Sequence, residues 1–381
     1  MSQEKLLLIP GPSPVHPRIL EVLARTTVSH VGPEMAAELR EACANLKQIV
    51  YCSEGDAFIV SGGGTLAMEM ALLNVVGPGE RVLVLSQGYF GRRMGDICSA
   101  FQIAHDVLEA EWGTVVSPED LAAALGRADY AVVVCTHVDT ATGAMAPVEA
   151  YAARVKAAGS LFIVDGVCAT GGVPEKMDDW GIDVVFSAAQ KCFGAPPGLA
   201  LCVFSRRAVD KRRSLAAVPA YYTDILRWLP VMTDPTVYFA TPCVNEIRAF
   251  GEGLRIVLEE GLEARFARHI RNAEAVRAGL AAMGFGFFTH PSCLAPTLSV
   301  VTYPEGVEDK AFRSVLYANN IVVAGGLAHT GGKVFRMGHM GNLTADQIRF
   351  ALQAVERSLV SLGACRFQGA GVRAADRIFH G

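Results

Sequence analysis

Two residues that can do covalent chemistry together stand at the ends of successive apolar runs. Asp165 ends the run LFIVD, and Lys191 follows the next run, DVVFSAAQ. The lysine lies between AAQ and CFGAPPG, so it is not part of a charged, solvated face. A fixed, partly buried amine can act as a nucleophile, although a lone loop lysine can equally be a surface residue. The neighbouring aspartate favours the first interpretation, because open α/β sheets bind ligands at the carboxyl ends of their strands.

A glycine-rich turn supplies a candidate anion site. The segment FIVSGGGTLAME (58–69) has the pattern of a strand, a tight turn and the start of a helix. Glycines let backbone N–H groups approach an anion, and the helix N-terminus adds its positive dipole end. The segment lacks the GK[ST] of a P-loop and the GxGxxG of a dinucleotide site. Alone it indicates only a tight turn, so its interpretation as a phosphate site depends on the lysine and the aspartate.

Together these three features predict pyridoxal phosphate chemistry. That cofactor needs a lysine for its Schiff base, a carboxylate that keeps its pyridine nitrogen protonated, and a phosphate site. The sequence offers each of them near a predicted strand end.

The elements that position these residues follow from hydrophobic runs bounded by turn residues and separated by helix-length segments. This pattern predicts an α/β fold with parallel strands, helical crossovers and a helix over Thr65–Val76. The predicted strands are Ala57–Val60, Arg81–Leu85, Tyr130–Cys135, Leu161–Val164, Val184–Phe186 and Leu199–Phe204.

The C-terminal part of the chain has a different pattern of predicted helices and strands. One long connecting helix is predicted up to Gly284, followed by strand-like LSVVTY, helix-like DKAFRSVLYANN, strand-like IVVAG, FRMG and a helix over Ala345–Leu359. The sequence after Gly363 shows no clear periodicity and is expected to be a peripheral extension. We expect an N-terminal segment (1–20), a large cofactor-binding domain (21–255), a small α+β domain (256–361) and a tail (362–381).

Composition excludes several classes of function. The 381 residues carry a formal net charge of −4, without a long basic run, so neither nucleic acid nor an anionic membrane is an expected partner. No segment approaches the ~18 consecutive apolar residues of a membrane span, and the N-terminal LLLI is too short for a signal peptide. Ten scattered cysteines show neither disulfide nor zinc-ligand spacing, so no metal is expected. A cytoplasmic protein is predicted.

The sequence resembles the class V aminotransferase family of fold type I pyridoxal phosphate enzymes, and most of all its alanine–glyoxylate and serine–pyruvate branch. The resemblance implies a large domain with a mostly parallel mixed sheet between helices and a smaller C-terminal α+β domain. The matching segments follow the family order to about residue 360: IPGPSPVHPRIL, SGGGTLAMEMALLNVVGPGERVLV, SQGYFGRR, THVDTATGAMAPVE, IVDGVCATGG, SAAQKCFGAPPG, TPCVNEI and GKVFRMGHMG.

This resemblance implies roles for the matching residues around the cofactor ring. Lys191 would form the Schiff base, and Asp165 would pair with the pyridine nitrogen. Phe90 stands where the branch often has a tryptophan and would stack on the ring, a contact that phenylalanine preserves. Val167 would cover the other face, and Thr140 would reach the ring hydroxyl.

The phosphate and the substrate have their own expected ligands. Arg336 would bind the substrate α-carboxylate through a bidentate pair, and Gly11 would bring the N-terminal segment over the substrate. A homodimer is expected, because two of the phosphate ligands would come from the neighbouring subunit. The expected phosphate ligands are Gly63, Gly64, Thr65 (a histidine in some relatives) and Gln190, with Tyr238 and Thr241 from that subunit.

The resemblance implies ping-pong transamination from a small amino acid, alanine or serine, to glyoxylate or pyruvate, with Lys191 moving the proton. Alternatives from the same branch are ureidoglycine–glyoxylate, 2-aminoethylphosphonate and pyridoxamine–pyruvate transfer. A cysteine desulfurase-like lyase would need a mobile cysteine, for which Cys293 is the candidate, and a non-enzymatic binding module would not need Lys191. His137 and Asp139 could form a catalytic pair or only make hydrogen bonds beside the ring.

Overall fold

The computed structural model describes residues 5–366 and 368–380. Four residues of the predicted N-terminal segment (1–4) and two of the predicted tail (367 and 381) lie outside this part of the chain. The strands are β1 (Leu6–Leu7), β2 (Asp56–Ser61), β3 (Arg81–Ser86), β4 (Ala104–Glu109), β5 (Val132–Thr136), β6 (Leu161–Asp165), β7 (Val184–Ala188), β8 (Leu199–Phe204), β9 (Gly286–Phe287), β10 (Leu298–Thr302), β11 (Ile321–Val322), β12 (Ala324–Gly325) and β13 (Val334–Gly338).

Helices follow most of these strands. They are α1 (Pro17–Leu23), α2 (Pro33–Ile49), α3 (Gly64–Leu73), α4 (Tyr89–Ala100), α5 (Pro118–Leu125), α6 (Val148–Ala157), α7 (Met177–Trp180), α8 (Arg206–Ser214), α9 (Ile225–Thr233), α10 (Val244–Glu260), α11 (Leu262–Ala281), α12 (Asp309–Ala318), α13 (Ala345–Ser361) and α14 (Ala370–His380).

A seven-stranded mixed sheet forms the centre of the molecule, in the order β2-β8-β7-β6-β5-β3-β4. The four strands β5 to β8 are buried along their whole length, which explains their continuous apolar sequences. Because β5, β6 and β7 pair in parallel, their carboxyl ends meet at one edge of the sheet. Asp165, at the end of β6, and Lys191, in the loop after β7, lie at that edge.

All six predicted strands of this sheet are present, but two features differ from the prediction. Strand β8 runs antiparallel to both of its neighbours, because the ten-residue connection 189–198 from β7 contains no helical crossover. Strand β4 was not predicted, since it is a half-exposed edge strand of sequence AHDVLE without a continuous apolar run.

The C-terminal part has its own antiparallel sheet, in the order β12-β13-β10-β9. The prediction of one long connecting helix is wrong: the chain forms α10 and α11, which meet at Gly261. This glycine has φ +82°, a left-handed conformation that a helix cannot contain. Packed aromatic rings fill the core between this sheet and its helices: Phe285, Tyr303, Phe312 and Phe335.

The tail is more structured than expected. Its helix α14 packs against α11 and α13 and buries Ala374 and Ala375. Arg349 of α13 binds Asp376 at 2.7 Å. Val372, Ile378 and Phe379 of this helix pack against the small core, at a helical spacing that the sequence interpretation missed.

The two main cores divide near the expected domain boundary. The last buried residue of the large-sheet core is Val257. Apart from Leu8, the first buried residue of the small-sheet core is Ala275. The small core also includes Leu8, because β1 pairs in parallel with β11. We therefore propose the division 21–255 and 256–361, with the N-terminal segment attached to the small core through Leu8 and the separate two-stranded sheet β1-β11.

Arg265 of α11 ties the small domain to the loop that carries Lys191. Its side chain is completely buried, and burial lowers the pKa of its guanidinium. The guanidinium donates to the carbonyl oxygens of Gly171 (2.9 Å) and Cys192 (2.5 Å) and pairs with Glu260 at 2.7 Å. These bonds hold the backbone next to the lysine.

Removing this side chain should destabilise the whole fold. Arg265→Ala leaves two carbonyl groups buried without a donor, and we expect it to lower the free energy of unfolding by about 3 kcal/mol. Urea denaturation followed by circular dichroism measures this change. The exposed Arg271→Ala on the same helix is the control and should change the value by less than ~0.5 kcal/mol. Equal effects of the two variants would contradict this role for Arg265.

Candidate active site

A cavity of about 150 Å³ lies at the carboxyl edge of the large sheet. Eight of the residues predicted from the sequence line it together: Gly64, Thr65, Phe90, Thr140, Asp165, Val167, Gln190 and Lys191. They come from the end of β6, the loop after β7, the start of α3, the start of α4 and the loop after β5. Distant segments of the sequence therefore meet in one small space.

Lys191 is covered by the N-terminal segment. Its amine donates a hydrogen bond to the carbonyl oxygen of Pro10. A Cβ atom at Gly11 would lie 2.3 Å from Cδ and 2.8 Å from Nζ of the lysine, and Gly11 has φ +95°. Only glycine fits at this position, because any side chain would displace the lysine.

Asp165 presents a buried carboxylate to the same cavity. Its Oδ1 accepts from the backbone N–H of Val167 at 3.0 Å, and its Oδ2 accepts from the Thr136 hydroxyl at 3.5 Å. Burial raises the pKa of Asp165 to about 7, since little water reaches the charge. A cationic partner in the cavity would stabilise the ionised form.

The start of α3 offers unpaired backbone donors. Gly63 caps this helix without a side-chain hydrogen bond, and a Cβ atom at Gly63 would meet nothing within 4 Å. The first N–H groups of the helix therefore face open space at its positive end. Close by, Oε1 of Gln190 is buried without a hydrogen-bond partner. Turning this amide over would present a donor there instead.

Phe90 and Thr140 are held by Asp139. The buried Asp139 carboxylate accepts from the backbone N–H of Phe90 at 2.9 Å and of Ala141 at 2.8 Å. His137 does not pair with Asp139, because its Nδ1 lies 2.8 Å from Oε1 of Glu175. Asp139 is thus a support for the cavity wall.

Five predicted residues are not part of the cavity lining: Gly11 and Gly63, described above, and Arg336, Tyr238 and Thr241. Arg336 stands beside it: Nε donates to the Gly325 carbonyl at 2.8 Å and Nη1 to the Thr140 carbonyl at 3.4 Å. Burial lowers the pKa of this guanidinium. Tyr238 and Thr241 are exposed, and their hydroxyl groups lie 3.3 Å apart.

The cavity also contains residues that the sequence interpretation missed: Met68, Arg93 and Val138. Met68 follows Gly64 by four residues on α3, a helical spacing that could have indicated it. Arg93 is three residues after Phe90 on α4, so the same spacing rule applies once Phe90 is placed in the site. An RR pair on a helix is equally compatible with a solvated face.

A larger cavity of about 630 Å³ lies elsewhere, between α6, α7 and α11. It shares no residue with the smaller one, and its wall is mostly apolar. Of the candidate residues predicted from the sequence it contains only His137, so the chemistry is assigned to the smaller cavity.

Comparison with known proteins agrees with this geometry. The family model "Aminotransferase class-V" matches residues 20–353. The chain belongs to the class V aminotransferase family. An uncharacterized aminotransferase of Methanocaldococcus jannaschii is 37% identical over 94% of both chains. Further relatives are named serine–glyoxylate, L-aspartate–glyoxylate and pyridoxamine–pyruvate aminotransferases or transaminases.

Solved structures show the same fold throughout. Ureidoglycine–glyoxylate aminotransferase from Bacillus subtilis is 29% identical and superposes with a TM-score of 0.96, covering 100% of this chain and 99% of that one. Alanine–glyoxylate aminotransferase from Nostoc sp. is 33% identical, with a TM-score of 0.90 and coverage of 94% and 96%. The protein therefore has the fold type I architecture and is a pyridoxal phosphate-dependent aminotransferase.

The residues of the cavity fit pyridoxal 5′-phosphate. An amine, a buried carboxylate and an open helix N-terminus line one space, and Gln190 has an unpaired amide atom beside them. When bound, the cofactor supplies an electrophilic carbon for an amine and an electron-withdrawing ring. No group of three or more His, Cys, Asp and Glu side chains in 5–366 and 368–380 is placed to hold a metal. In the same ranges no helix is long and apolar enough to cross a membrane.

The raised pKa of Asp165 predicts a pH dependence of stability in the cofactor-free protein. The folded state keeps a proton that the unfolded state releases, so stability falls as pH rises from about 4 to about 7. Asp165→Asn lacks this titration. The melting temperature of the variant minus that of wild type should therefore increase from about pH 4 to about pH 7 and remain constant at higher pH. Thermal unfolding at several pH values measures the difference, and a difference independent of pH would contradict the assignment.

Proposed function

We propose that this aminotransferase transfers the amino group of a small amino acid, alanine or serine, to glyoxylate or pyruvate. The observation that carries the proposal is the meeting of Lys191 and Asp165 in one cavity, with Arg336 beside it. One arginine can bind the α-carboxylate, which favours donors without a second carboxylate in the side chain. The substrate choice goes beyond what family membership provides.

Each residue has a distinct task in this proposal. Asp165 would stabilise a positive charge on the ring nitrogen, Phe90 and Val167 would contact the ring, and Thr140 would contact its hydroxyl group. The Lys191 amine would remove the proton from the α-carbon of the donor as a general base and, as a general acid, return it to the C4′ carbon of the cofactor. The nearby Pro10 carbonyl holds this amine in place between transfers.

The substrate carboxylate is assigned to Arg336. Its guanidinium has no carboxylate partner among the described residues, and two carbonyl groups orient it. Two parallel hydrogen bonds to a carboxylate fit the planar fork of arginine. Gly11 lies next to Lys191 and brings the N-terminal segment over this region.

A lyase reaction of the desulfurase type has less support. Its candidate residue, Cys293, is buried at the end of a short helical turn, and its thiol donates to the Gly113 carbonyl at 3.4 Å. The residue does not line the cavity with Lys191. A thiol held in this way cannot approach a substrate there without rearrangement.

A homodimer with shared sites is part of the proposal. Tyr238 and Thr241 do not reach the cavity of their own chain, and exposed apolar side chains accompany them at Tyr221 and Val237. A second copy of the chain would cover this surface and bring the two hydroxyl groups to the phosphate.

Steady-state kinetics with a substrate panel tests the reaction. We expect kcat/KM for alanine or serine, with glyoxylate or pyruvate, to exceed that for aspartate and glutamate by at least ~10-fold. The reason is that Arg336 can pair with one carboxylate, so the second carboxylate of aspartate or glutamate would have no cationic partner in the proposed site. Lys191→Ala should lose at least ~1,000-fold of the turnover, whereas the exposed Lys156→Ala should keep it. Preferred turnover of aspartate, or sulfide release from cysteine, would contradict the proposed substrates.

Subunit mixing tests the shared site. Lys191→Ala and the double variant Tyr238→Phe, Thr241→Val should each be weakly active alone. After subunit exchange, random hybrids restore one intact site per mixed dimer, about a quarter of the wild-type activity. Gel filtration of the mixture is the control for assembly. No recovery despite exchange would show that each chain completes its own site.

A further inference from the structure

Arg93 is a cation in the cofactor cavity that none of the roles above uses. Its Nη1 lies 3.3 Å from the Thr65 hydroxyl, which belongs to the first turn of α3. Its guanidinium carbon lies 4.8 Å from the centre of the Phe90 ring and 5.2 Å from that of Tyr89. In the part of the chain that the structure describes, no carboxylate pairs with it. Arg93 is therefore a positioned and available positive charge.

A positive charge at this place would stabilise the phosphate of the cofactor. A phosphate monoester carries about −1.5 to −2 charges at pH 7. The ligands expected for it are neutral: backbone N–H groups of α3, the Gln190 amide and two hydroxyl groups of a second subunit. The helix dipole contributes only about half of a positive charge. Lys191 is needed at the reacting carbon, and the Arg336 guanidinium donates to the carbonyl groups of Gly325 and Thr140.

We propose that Arg93 is the cationic ligand of the cofactor phosphate. It lies at the same helix N-terminus that offers unpaired N–H groups, so all these donors converge on one anion. The planar fork of arginine matches phosphate oxygens better than a lysine amine does. Packing against Phe90 and Tyr89 limits the conformations of the side chain before the cofactor binds.

A second anion could use the same guanidinium, namely the side-chain carboxylate of a dicarboxylic donor such as aspartate. The two sources differ in what they require. A phosphate ligand affects the binding of the cofactor without any substrate, whereas a ligand of the donor affects only the donor. This inference depends on the cofactor and not on the proposed substrates, so the two can fail separately.

Binding of pyridoxal phosphate and of pyridoxal, which lacks the phosphate, tests the proposal. The two are titrated into cofactor-free protein and followed by visible absorbance. Arg93→Ala should raise the Kd for pyridoxal phosphate at least ~10-fold, the loss expected for a charge-assisted hydrogen bond, and the Kd for pyridoxal less than ~2-fold. Arg93→Lys should fall between Arg93→Ala and wild type.

Arg92→Ala is the matched control. Arg92 is the preceding residue of the same helix, but its guanidinium pairs with Glu109, lies over Trp112 and is absent from the cavity lining. We expect this variant to bind both compounds like wild type. If Arg93→Ala does not fold, judged by its melting temperature without cofactor, Arg93→Gln keeps much of the side-chain volume and replaces it.

Three results would overturn the proposal. An equal loss of affinity for pyridoxal and pyridoxal phosphate would indicate that Arg93 only packs against the cavity wall. Unchanged affinity for both would exclude a contact with the phosphate. Unchanged cofactor affinity together with a raised KM for aspartate, and not for alanine, would assign the guanidinium to a substrate carboxylate.

Discussion

A carboxylate buried at the end of a central strand is the constraint on which the rest of the site depends. Asp165 has few hydrogen-bond donors and a pKa raised by burial, so its charge is stable only next to a positive group. The charge of Lys191 in the same cavity lowers the pKa of Asp165, but burial raises it more, so the carboxylate still favours a further cationic partner. Binding of a protonated pyridine ring and ionisation of this carboxylate therefore favour each other.

Two buried polar side chains position the backbone around this carboxylate. Asp139 fixes the loop that carries Phe90, and Arg265 fixes the backbone that follows Lys191. Both side chains are buried and bound to backbone groups rather than to the cavity. Precise placement of the reacting groups thus depends on polar side chains that never touch a ligand.

Much of this arrangement could be predicted from the sequence, because the buried parallel strands leave continuous apolar runs. Asp165 and Lys191 were recognisable as residues that interrupt such runs at their ends. The direction of β8 was not, since apolar content carries no information on direction, and Gly261 gave no sign that it takes a left-handed conformation within a helical pattern. Arg93 was missed because an arginine pair on a helix has the same pattern whether it faces solvent or a cavity.

The N-terminal segment connects the small sheet to the amine of Lys191. Strand β1 pairs with β11 and Leu8 packs in the small core, while Pro10, three residues after β1, accepts a hydrogen bond from the Lys191 amine at the edge of the large sheet. The Leu8 carbonyl also accepts from the N–H of Gly338 in β13. A rotation of the small sheet would consequently pull the carbonyl away from the amine. The position of the small sheet is thereby coupled to the nucleophile at the edge of the large sheet.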